Sequence, residues 1–473
     1  MQRMFSYPLI KREDFHKRRA LVKRDSPCSI VTYFHNQHKI MAFIHHLSSE
    51  CGKSELDLFS VPPTQTAIES GHWVEFYPLS SLTDNGPIEF LVSGTPEDFI
   101  DMANTQLHIK AKILNEDGTL LPENAKVGPV NLFLHSLFSQ TDIYLNDTLI
   151  TSSNNCYAYR AYIETLLNFG PAAKDSYLSG ALWYRDSPGG FNDYDPVKSN
   201  NTGFKARCAR AEKSNTIDLL GTLHTDMVFQ PKALLNSVDF RLKLIRSKDS
   251  FSLMSDGTKY KIKIEHASLF VRKVKLSNSA ALAIGKTILE GPAKYAISKV
   301  DMKVLSIPSG NLSSNNDNVF LGPMPKRLVL GFVDNRAFNG DYTKSPWNFS
   351  HYDLDYLSIY FDNRPIPMKP LQPNMSAGIY ARCYSTLFTG TGIMNDNRGN
   401  GITYTDYKNG FMLFAFDLSP DLCETDHFNV RRNGSIRIET HFKSGLTHTV
   451  NLIVYAEFEN IIEIDNARNV MLV

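Results

Sequence analysis

Nearly the same eight residues occur twice in this chain, as IYLNDTLI at 143–150 and as IYFDNRPI at 359–366. The residues before each copy also match, because Pro129-Val-Asn131 precedes the first and Pro346-Trp-Asn348 precedes the second. Each copy is followed by a polar stretch and then by a helix-like segment. Since the flanks agree in the same order on both sides, a tandem duplication of one domain explains the pattern better than chance.

Most other segments show the period-two alternation that is typical of half-buried strands. QLHIKAKIL (106–114) and TKYKIKIEH (258–266) place apolar residues at every second position. The alternation slips before LFVRKVKL (269–276), which predicts a β-bulge or a bend at that point. SIRIETHF (435–442) and TVNLIVYAEFE (449–459) also alternate, so both are predicted to be half-buried strands.

The chain is therefore predicted to be all-β, with two tandem jelly-roll β-sandwiches and a few short helices in long loops. Antiparallel strands in this number bury one face of each sheet by packing two sheets together. The predicted domains are a basic N-terminal arm and lead-in at 1–75, jelly roll 1 at 76–280 and jelly roll 2 at 281–473.

Helical signals are confined to a few short segments in the predicted loops. They are NLFLHSLF, YAYRAYIETLLNFG and KDSYLSGALWYR in the first half and AGIYARCYSTLF in the second. Two long excursions, Asp147 to Leu219 and Pro367 to Asn409, exceed ordinary loop length and are expected to be functional. The first is predicted to form a tower or a clasp. Residues 185–204 have almost no apolar pattern and are predicted to be an exposed loop.

Composition excludes several classes of function. The chain has 473 residues with 50 Lys and Arg against 49 Asp and Glu, so it does not bind nucleic acid through its overall charge. No apolar run is long enough for a membrane span, and the N-terminus lacks a secretory pattern. The six cysteines form no CxxC pair, which favours reduced thiols in a protein made in the cytosol or nucleus.

The first 24 residues contain eight Lys and Arg and form a basic arm. This arm could contact packaged DNA from the inner surface of a shell. The alternatives are a solvated tail, a localisation signal, or sequence upstream of a natural start at Met41. The residues of the DNA hypothesis are Lys11, Arg12, Lys17, Arg18, Arg19, Lys23 and Arg24.

Enzyme motifs are weak, and we predict no catalytic, cofactor-binding or metal-binding residues. Gly285-Lys286-Thr287 resembles the end of a phosphate loop, but Ala280 stands where the earlier glycine is required. Asp353, Asp355 and Asp362 lie near each other in sequence and are better explained as turn residues than as a cation site. A second group near the N-terminus fits no standard zinc spacing. Its members are Cys28, His35, His38, His45, His46 and Cys51.

Two long segments resemble a known family. GPVNLFLHSLFSQTDIYLNDTLITSSNNCYAYRAYIETLLNFG (128–170) and FLGPMPKRLVLGFVDNRAFNGDYTKSPWNFSHYDLDYLSIYFDNRPIP (320–367) resemble double jelly-roll major capsid proteins of Polinton (Maverick) elements and adintoviruses. The resemblance covers roughly residues 55–473. It implies hexon-like homotrimers of six jelly rolls that tile an icosahedral shell around double-stranded DNA. It also implies neighbouring capsomers and a vertex (penton) single jelly-roll protein as partners.

That family also implies a virion capsid location for a protein made in the host cytoplasm, with assembly there or in the nucleus. The residues that mark the repeat are assigned to core and inter-domain packing. They are Asn131, Tyr144, Tyr162, Asn348, Tyr360 and Tyr384. Three alternatives remain. They are a tandem β-sandwich module that binds carbohydrate or protein, a cupin-type enzyme, and a domesticated capsid protein that no longer assembles.

Overall fold

A computed structural model of the chain describes residue 47 and residues 52–82, 86–422 and 427–473. Strands predominate in it, and every strand pairing between named strands is antiparallel. The predicted N-terminal arm and the cluster of Cys28, the four early histidines and Cys51 lie outside the described residues. No helix in the described part of the chain is long and apolar enough to cross a membrane.

The first half of the chain forms two four-stranded sheets and a small two-stranded one. Sheet A has the order β1-β10-β3-β7, sheet B has the order β2-β8-β5-β6, and β4 pairs with β9. The strands are β1 (Ile68–Phe76), β2 (Ile88–Val92), β3 (Asp98–Asn115), β4 (Val127–Pro129), β5 (Phe138–Leu145), β6 (Thr148–Leu149), β7 (Ile217–Thr222), β8 (Phe240–Arg246), β9 (Leu253–Ser255) and β10 (Tyr260–Leu276).

The second half repeats this topology. Sheet C has the order β11-β18-β13-β16 with β19 added to β18, and sheet D has the order β12-β17-β14-β15. Without β4 and β9, both halves pair their first, eighth, third and sixth strands in one sheet, which is a jelly-roll order. The strands are β11 (Ala293–Ile307), β12 (Ser313–Pro323), β13 (Arg327–Asp334), β14 (Leu354–Phe361), β15 (Arg364–Leu371), β16 (Leu413–Asp417), β17 (Asn433–Phe442), β18 (Val450–Ile464) and β19 (Val470–Leu472).

Short helices lie in the connections, as predicted, and one longer helix joins the halves. The two helices after the repeated octapeptides, α2 and α8, occupy equivalent positions between the fifth and sixth jelly-roll strands. The α-helices are α1 (Phe133–Ser136), α2 (Tyr157–Asn168), α3 (Pro171–Lys174), α4 (Thr202–Ala211), α5 (Asp249–Ser252), α6 (Asn278–Glu290), α7 (Asn335–Asn339), α8 (Ala381–Thr389) and α9 (Tyr404–Tyr407). The 3-10 helices are Ser54–Leu56, Tyr177–Ala181 and Glu212–Ser214.

The predicted bulge is confirmed. The pairing of β10 with β3 runs in register through Ile264 opposite Ala111 and resumes with His266 opposite Lys110. Glu265 is therefore the extra residue. Because one extra residue reverses the side-chain alternation, the inner positions of β10 are even-numbered before the bulge and odd-numbered after it.

Two predictions about exposure are wrong. Every residue of β18 from Val450 to Glu457 is buried, although the alternation of this segment predicted a half-buried strand. The outer face of sheet C is covered by α2 and by the loops of the second half, so its polar positions are also enclosed. Residues 185–204 are not an exposed loop either, because Asp186, Phe191 and Asn201 are buried there.

Candidate functional site

The repeat-marking residues occupy equivalent elements of the two halves. Tyr144 lies on β5 and Tyr360 on β14, which are the fourth strands of their jelly rolls. Tyr162 lies on α2 and Tyr384 on α8. Their environments differ, because Tyr162 is buried whereas the other three side chains are only half-buried.

The segments that precede the repeated octapeptides meet each other. The Trp347 indole Nε1 donates a hydrogen bond of 2.9 Å to the carbonyl oxygen of Asn131. The ring of Tyr162 stacks on Trp347 with centroids 4.4 Å apart and an interplanar angle of 1°. Asn131 is buried, and Asn348 is half-buried and accepts a hydrogen bond from Ser350. The repeat therefore marks the junction between the two jelly rolls.

A buried ionic network lies beside this aromatic contact. Arg160 on α2 pairs with Glu164 through its Nε at 2.9 Å and with Asp226 through an Nη at 2.7 Å. His224 Nδ1 lies 2.7 Å from the second oxygen of Glu164. The network crosses the junction, because the Tyr455 hydroxyl on β18 donates to Glu164 at 3.2 Å. The junction is therefore held by charged groups as well as by packing.

The pKa values of the two carboxylates of this network are shifted in opposite directions. Burial raises the pKa of Glu164, but Arg160 and His224 outweigh burial and hold that pKa below its ordinary value. Burial raises the pKa of Asp226 above its ordinary value despite the contact with Arg160. Burial, followed by the neighbouring His224, holds the pKa of His135 well below 6.5, so that ring is neutral at pH 7. The network therefore has a structural role, and its buried members are too enclosed to contact a substrate.

The two long excursions clasp each other within the chain. The Lys174 ammonium donates to the carbonyl oxygens of Leu166 at 2.7 Å and Asn400 at 2.6 Å. Burial lowers the pKa of Lys174 to about 7. Arg185 pairs with Asp406 at 2.7 Å, which adds a second polar bond between the excursions. The excursions at 147–219 and 367–409 are therefore joined within one chain, whereas a tower, or a clasp on a neighbouring subunit, stays a prediction.

The weak enzyme candidates do not assemble into sites. Gly285, Lys286 and Thr287 lie within α6, where all three are exposed. They therefore do not form a phosphate-binding loop. Asp353 and Asp362 lie at opposite ends of β14, which places them roughly 30 Å apart along an extended strand. These carboxylates do not share a cation.

A shallow basic groove lies on the second jelly roll. Its volume is about 420 Å³, and five cationic side chains outnumber the acidic ones that line it. The cationic residues are Lys299, Lys303, Lys326, Arg431 and Arg432. The groove adjoins the C-terminal Val473, and its lining holds no histidine or cysteine. Because these cationic side chains exceed the two acidic ones, Asp301 and Glu459, the groove can attract anionic groups.

Comparisons with known proteins give one relative in sequence and several in structure. The chain is 24% identical over 423 residues to an uncharacterized protein of Caenorhabditis elegans, with 86% of this chain and 98% of that protein covered. No protein-family model matches the chain.

The solved structures are capsid proteins of viruses. A chain of the Sputnik virophage superposes with a TM-score of 0.62 at 12% identity, covering 90% of this chain and 93% of that chain. The Faustovirus major capsid protein gives a TM-score of 0.56 at 10% identity, covering 95% and 96%. The mavirus major capsid protein gives a TM-score of 0.53 at 12% identity, covering 89% of this chain and 93% of that chain. With the strand orders above, these similarities confirm the predicted fold of two tandem jelly rolls, the double jelly roll of viral major capsid proteins.

Proposed function

We propose that this chain is a major capsid protein whose copies associate as homotrimers, each a pseudo-hexagonal block of six jelly rolls. The observation that carries the proposal is the unequal cover of two equivalent sheets. On sheet C, β13 is buried at every residue and β18 is buried on both faces from Val450 to Glu457. On sheet A, the corresponding strands β3 and β10 alternate between buried and more exposed residues.

Part of the cover on sheet C comes from the first jelly roll. Helix α2 lies against it through the contact of Glu164 with Tyr455, and the Asp226 carboxylate accepts from the backbone N–H of Val300 on β11. Farther along, Asn146 donates to the carbonyl oxygen of Arg468. The side of jelly roll 1 that carries α2 is therefore complementary to the outer face of sheet C.

The second copy of this arrangement is missing within one chain. Sheet A has the topology of sheet C, and its outer face carries Trp73, His108, Lys110 and Lys112 without a covering jelly roll. Trp73 is 50% exposed. An uncovered surface of this kind beside a repeated fold suits a head-to-tail contact with jelly roll 2 of another chain. If the contact between chains repeats the internal one, a closed ring of three chains contains six jelly rolls with equivalent contacts.

The test is the mass of the purified protein in solution by light scattering, followed by electron microscopy of the same fraction. We expect a trimer with a pseudo-hexagonal outline. The variant Trp73→Glu places a charge on the outer face of sheet A and is expected to yield folded monomers. The matched control is Leu282→Glu on α6, where an exposed apolar side chain lies away from both sheets. The control is expected to remain trimeric.

A wild-type chain that stays monomeric at high concentration contradicts the assembly. That result favours the tandem β-sandwich binding module, or a domesticated capsid protein that has kept its fold and lost its contacts. The sequence relative belongs to a nematode, and this supports the alternative of a domesticated capsid protein.

The finer parts of the proposal are carried by the family resemblance. They are the relation to Polinton elements and adintoviruses, a non-enzymatic role, location in the virion, the vertex partner, the domain limits at 75 and 280, and enclosure of double-stranded DNA.

The basic arm from Lys11 to Arg24 would contact the enclosed DNA. Removal of residues 1–40 is expected to leave trimers intact and to lower the affinity for duplex DNA, measured by filter binding at several salt concentrations.

A further inference from the structure

Three potential metal ligands converge on the outer face of sheet A. Glu75 on β1, His108 on β3 and His266 on β10 each offer a ligand atom, and these atoms lie within 4.8 Å of one another. The bulge at Glu265 creates this arrangement. In a regular ladder Glu265 would take the place opposite Lys110, and His266 would then continue the even-numbered series of Ile262 and Ile264 and point toward the core.

The cluster is organised around one hydroxyl group. Ser268 lies between the two histidines, with its Oγ 3.2 Å from His266 Nε2 and 3.5 Å from His108 Nδ1. Its hydrogen bond to Glu75 is the main reason that the pKa of that carboxyl is below its ordinary value. The Oε1 of Glu75 also lies 3.8 Å from His266 Nε2. One nitrogen of each ring and one carboxylate therefore face a common point.

A hydrogen bond to Asp218 determines which nitrogen of His108 faces the cluster. His108 Nε2 lies 2.6 Å from Asp218 Oδ1, and a carboxylate only accepts, so this nitrogen carries the hydrogen. The lone pair of His108 is then on Nδ1, which faces the cluster.

We propose that Glu75, His108 and His266 bind one divalent transition-metal ion, with zinc as the preferred ion, on the outer face of sheet A. Two imidazoles and one carboxylate are a known zinc ligand set, and they leave one tetrahedral position open. Asp218 is a positioning residue, because a carboxylate on the far nitrogen fixes the tautomer and orientation of a ligating histidine. The open position can take water or a side chain of a docked second copy.

The ligand atoms must draw closer to hold zinc. Tetrahedral ligands with bonds of about 2.1 Å lie about 3.4 Å apart. The side chains of Glu75 and His266 are about one-third exposed, so they have room to make that movement. Nearby carboxylates offset the lysine charges beside the cluster, because Asp218 lies opposite Lys110 in the register of β3 with β7 and Glu265 pairs with Lys112.

The test measures metal binding by the full chain after treatment with a chelator. Zn²⁺ binding is followed by calorimetry, and Co²⁺ binding by its visible ligand-field absorption, which reports four-coordinate geometry. We expect His108→Gln and His266→Gln each to remove one bound ion per chain. Asp218→Asn is expected to keep the ion and to weaken its binding by about 10- to 100-fold.

The matched control is His72→Gln, which replaces a histidine of β1 outside the cluster and is expected to bind as the wild type does. An ion held by the early cysteines would show a thiolate charge-transfer band and would survive all four substitutions. Equal stoichiometry and affinity in the wild type and in His266→Gln would overturn the proposal. The metal site does not rest on the proposed trimer, because light scattering of the same samples reports assembly separately.

Discussion

Sheets A and C share one topology, but the chain covers only one of them. On sheet C, α2 and the loops of the second half enclose β13 and β18, whereas β3 and β10 of sheet A keep an uncovered outer face. The sequences reflect this difference, since LVLGFV (328–333) has no polar side chain and QLHIKAKIL alternates. The burial of a strand is therefore decided by what lies on the sheet as well as by the sheet itself.

The largest expected effect is at the junction. Trp347 is fully buried between the halves and stacks on Tyr162. Trp347→Ala is expected to lower the free energy of unfolding by about 3–5 kcal/mol, because it removes a large buried ring and leaves a cavity. The measurement is urea denaturation followed by circular dichroism.

Trp347→Phe separates the two contributions of that side chain. The phenyl ring keeps the stacking but loses the bond to the Asn131 carbonyl, so we expect a loss of about 1–3 kcal/mol. If Trp347→Ala is no more costly than this, the junction does not hold the halves together as described.

Two ion pairs of equal length allow the covered outer face of sheet C to be compared with the open outer face of sheet A. Arg160 lies 2.7 Å from Asp226 in the buried network, and Arg272 lies 2.7 Å from Asp101 on the partly exposed sheet A. Arg160→Met is expected to cost about 3–5 kcal/mol, because it leaves two buried carboxylates without their partner.

Arg272→Met is expected to cost about 1 kcal/mol or less under conditions in which the chain is monomeric. Urea denaturation of both variants makes the comparison. Equal losses would show that sheet A is covered in solution, which would shift the comparison in favour of assembly.

The clasp between the long excursions predicts a pH dependence with a definite sign. The folded chain lowers the pKa of Lys174 to about 7, whereas the unfolded chain has the ordinary value of 10.5. Between these values the unfolded state holds more protons, so stability rises with pH. We expect a gain of about 2 kcal/mol between pH 7 and pH 9, measured by urea denaturation.

Lys174→Met removes this titration and is expected to remove the gain. The comparison variant is Lys205→Met, which replaces an exposed lysine of α4 and should retain it. A gain that persists in Lys174→Met would assign the pH dependence to other groups.

The smallest effect on folding is expected on the open face. Trp73→Ala truncates a half-exposed ring, so we expect a loss of less than about 1 kcal/mol in unfolding free energy. Its effect on assembly is expected to be larger, with trimer formation weakened at least about tenfold in a dilution series by light scattering. Unchanged trimer formation would place the subunit contact elsewhere on the chain.

Local patterns predicted long strands such as β3, β10, β17 and β18, the bulge and the equivalent helices, because these depend on side-chain alternation and spacing. Helix α4 was missed, although Phe204, Cys208 and Ala211 have helical spacing and Asn201 caps its start with a bond to the N–H of Phe204. The sequence of this helix lies beside a glycine- and proline-rich stretch, which concealed the signal.

The junction and the histidine cluster could not be predicted from the sequence. Arg160 and Glu164 have a visible i,i+4 spacing, but Tyr455 reaches them from the other half of the chain. His108 and His266 meet only through the register of β3 with β10. A one-residue change in that register separates them, so no local pattern contains the contact.

The bulge in β10 has a consequence for mutational tolerance. From residue 260 to 264 the even positions face the core, and from 267 to 271 the odd positions do. In a saturation-mutagenesis profile, intolerance to polar substitution should therefore change parity at Glu265. Deletion of Glu265 should leave each side chain on its present face, because Ile264 and His266 then follow each other as in a regular ladder and keep their partners Ala111 and Lys110.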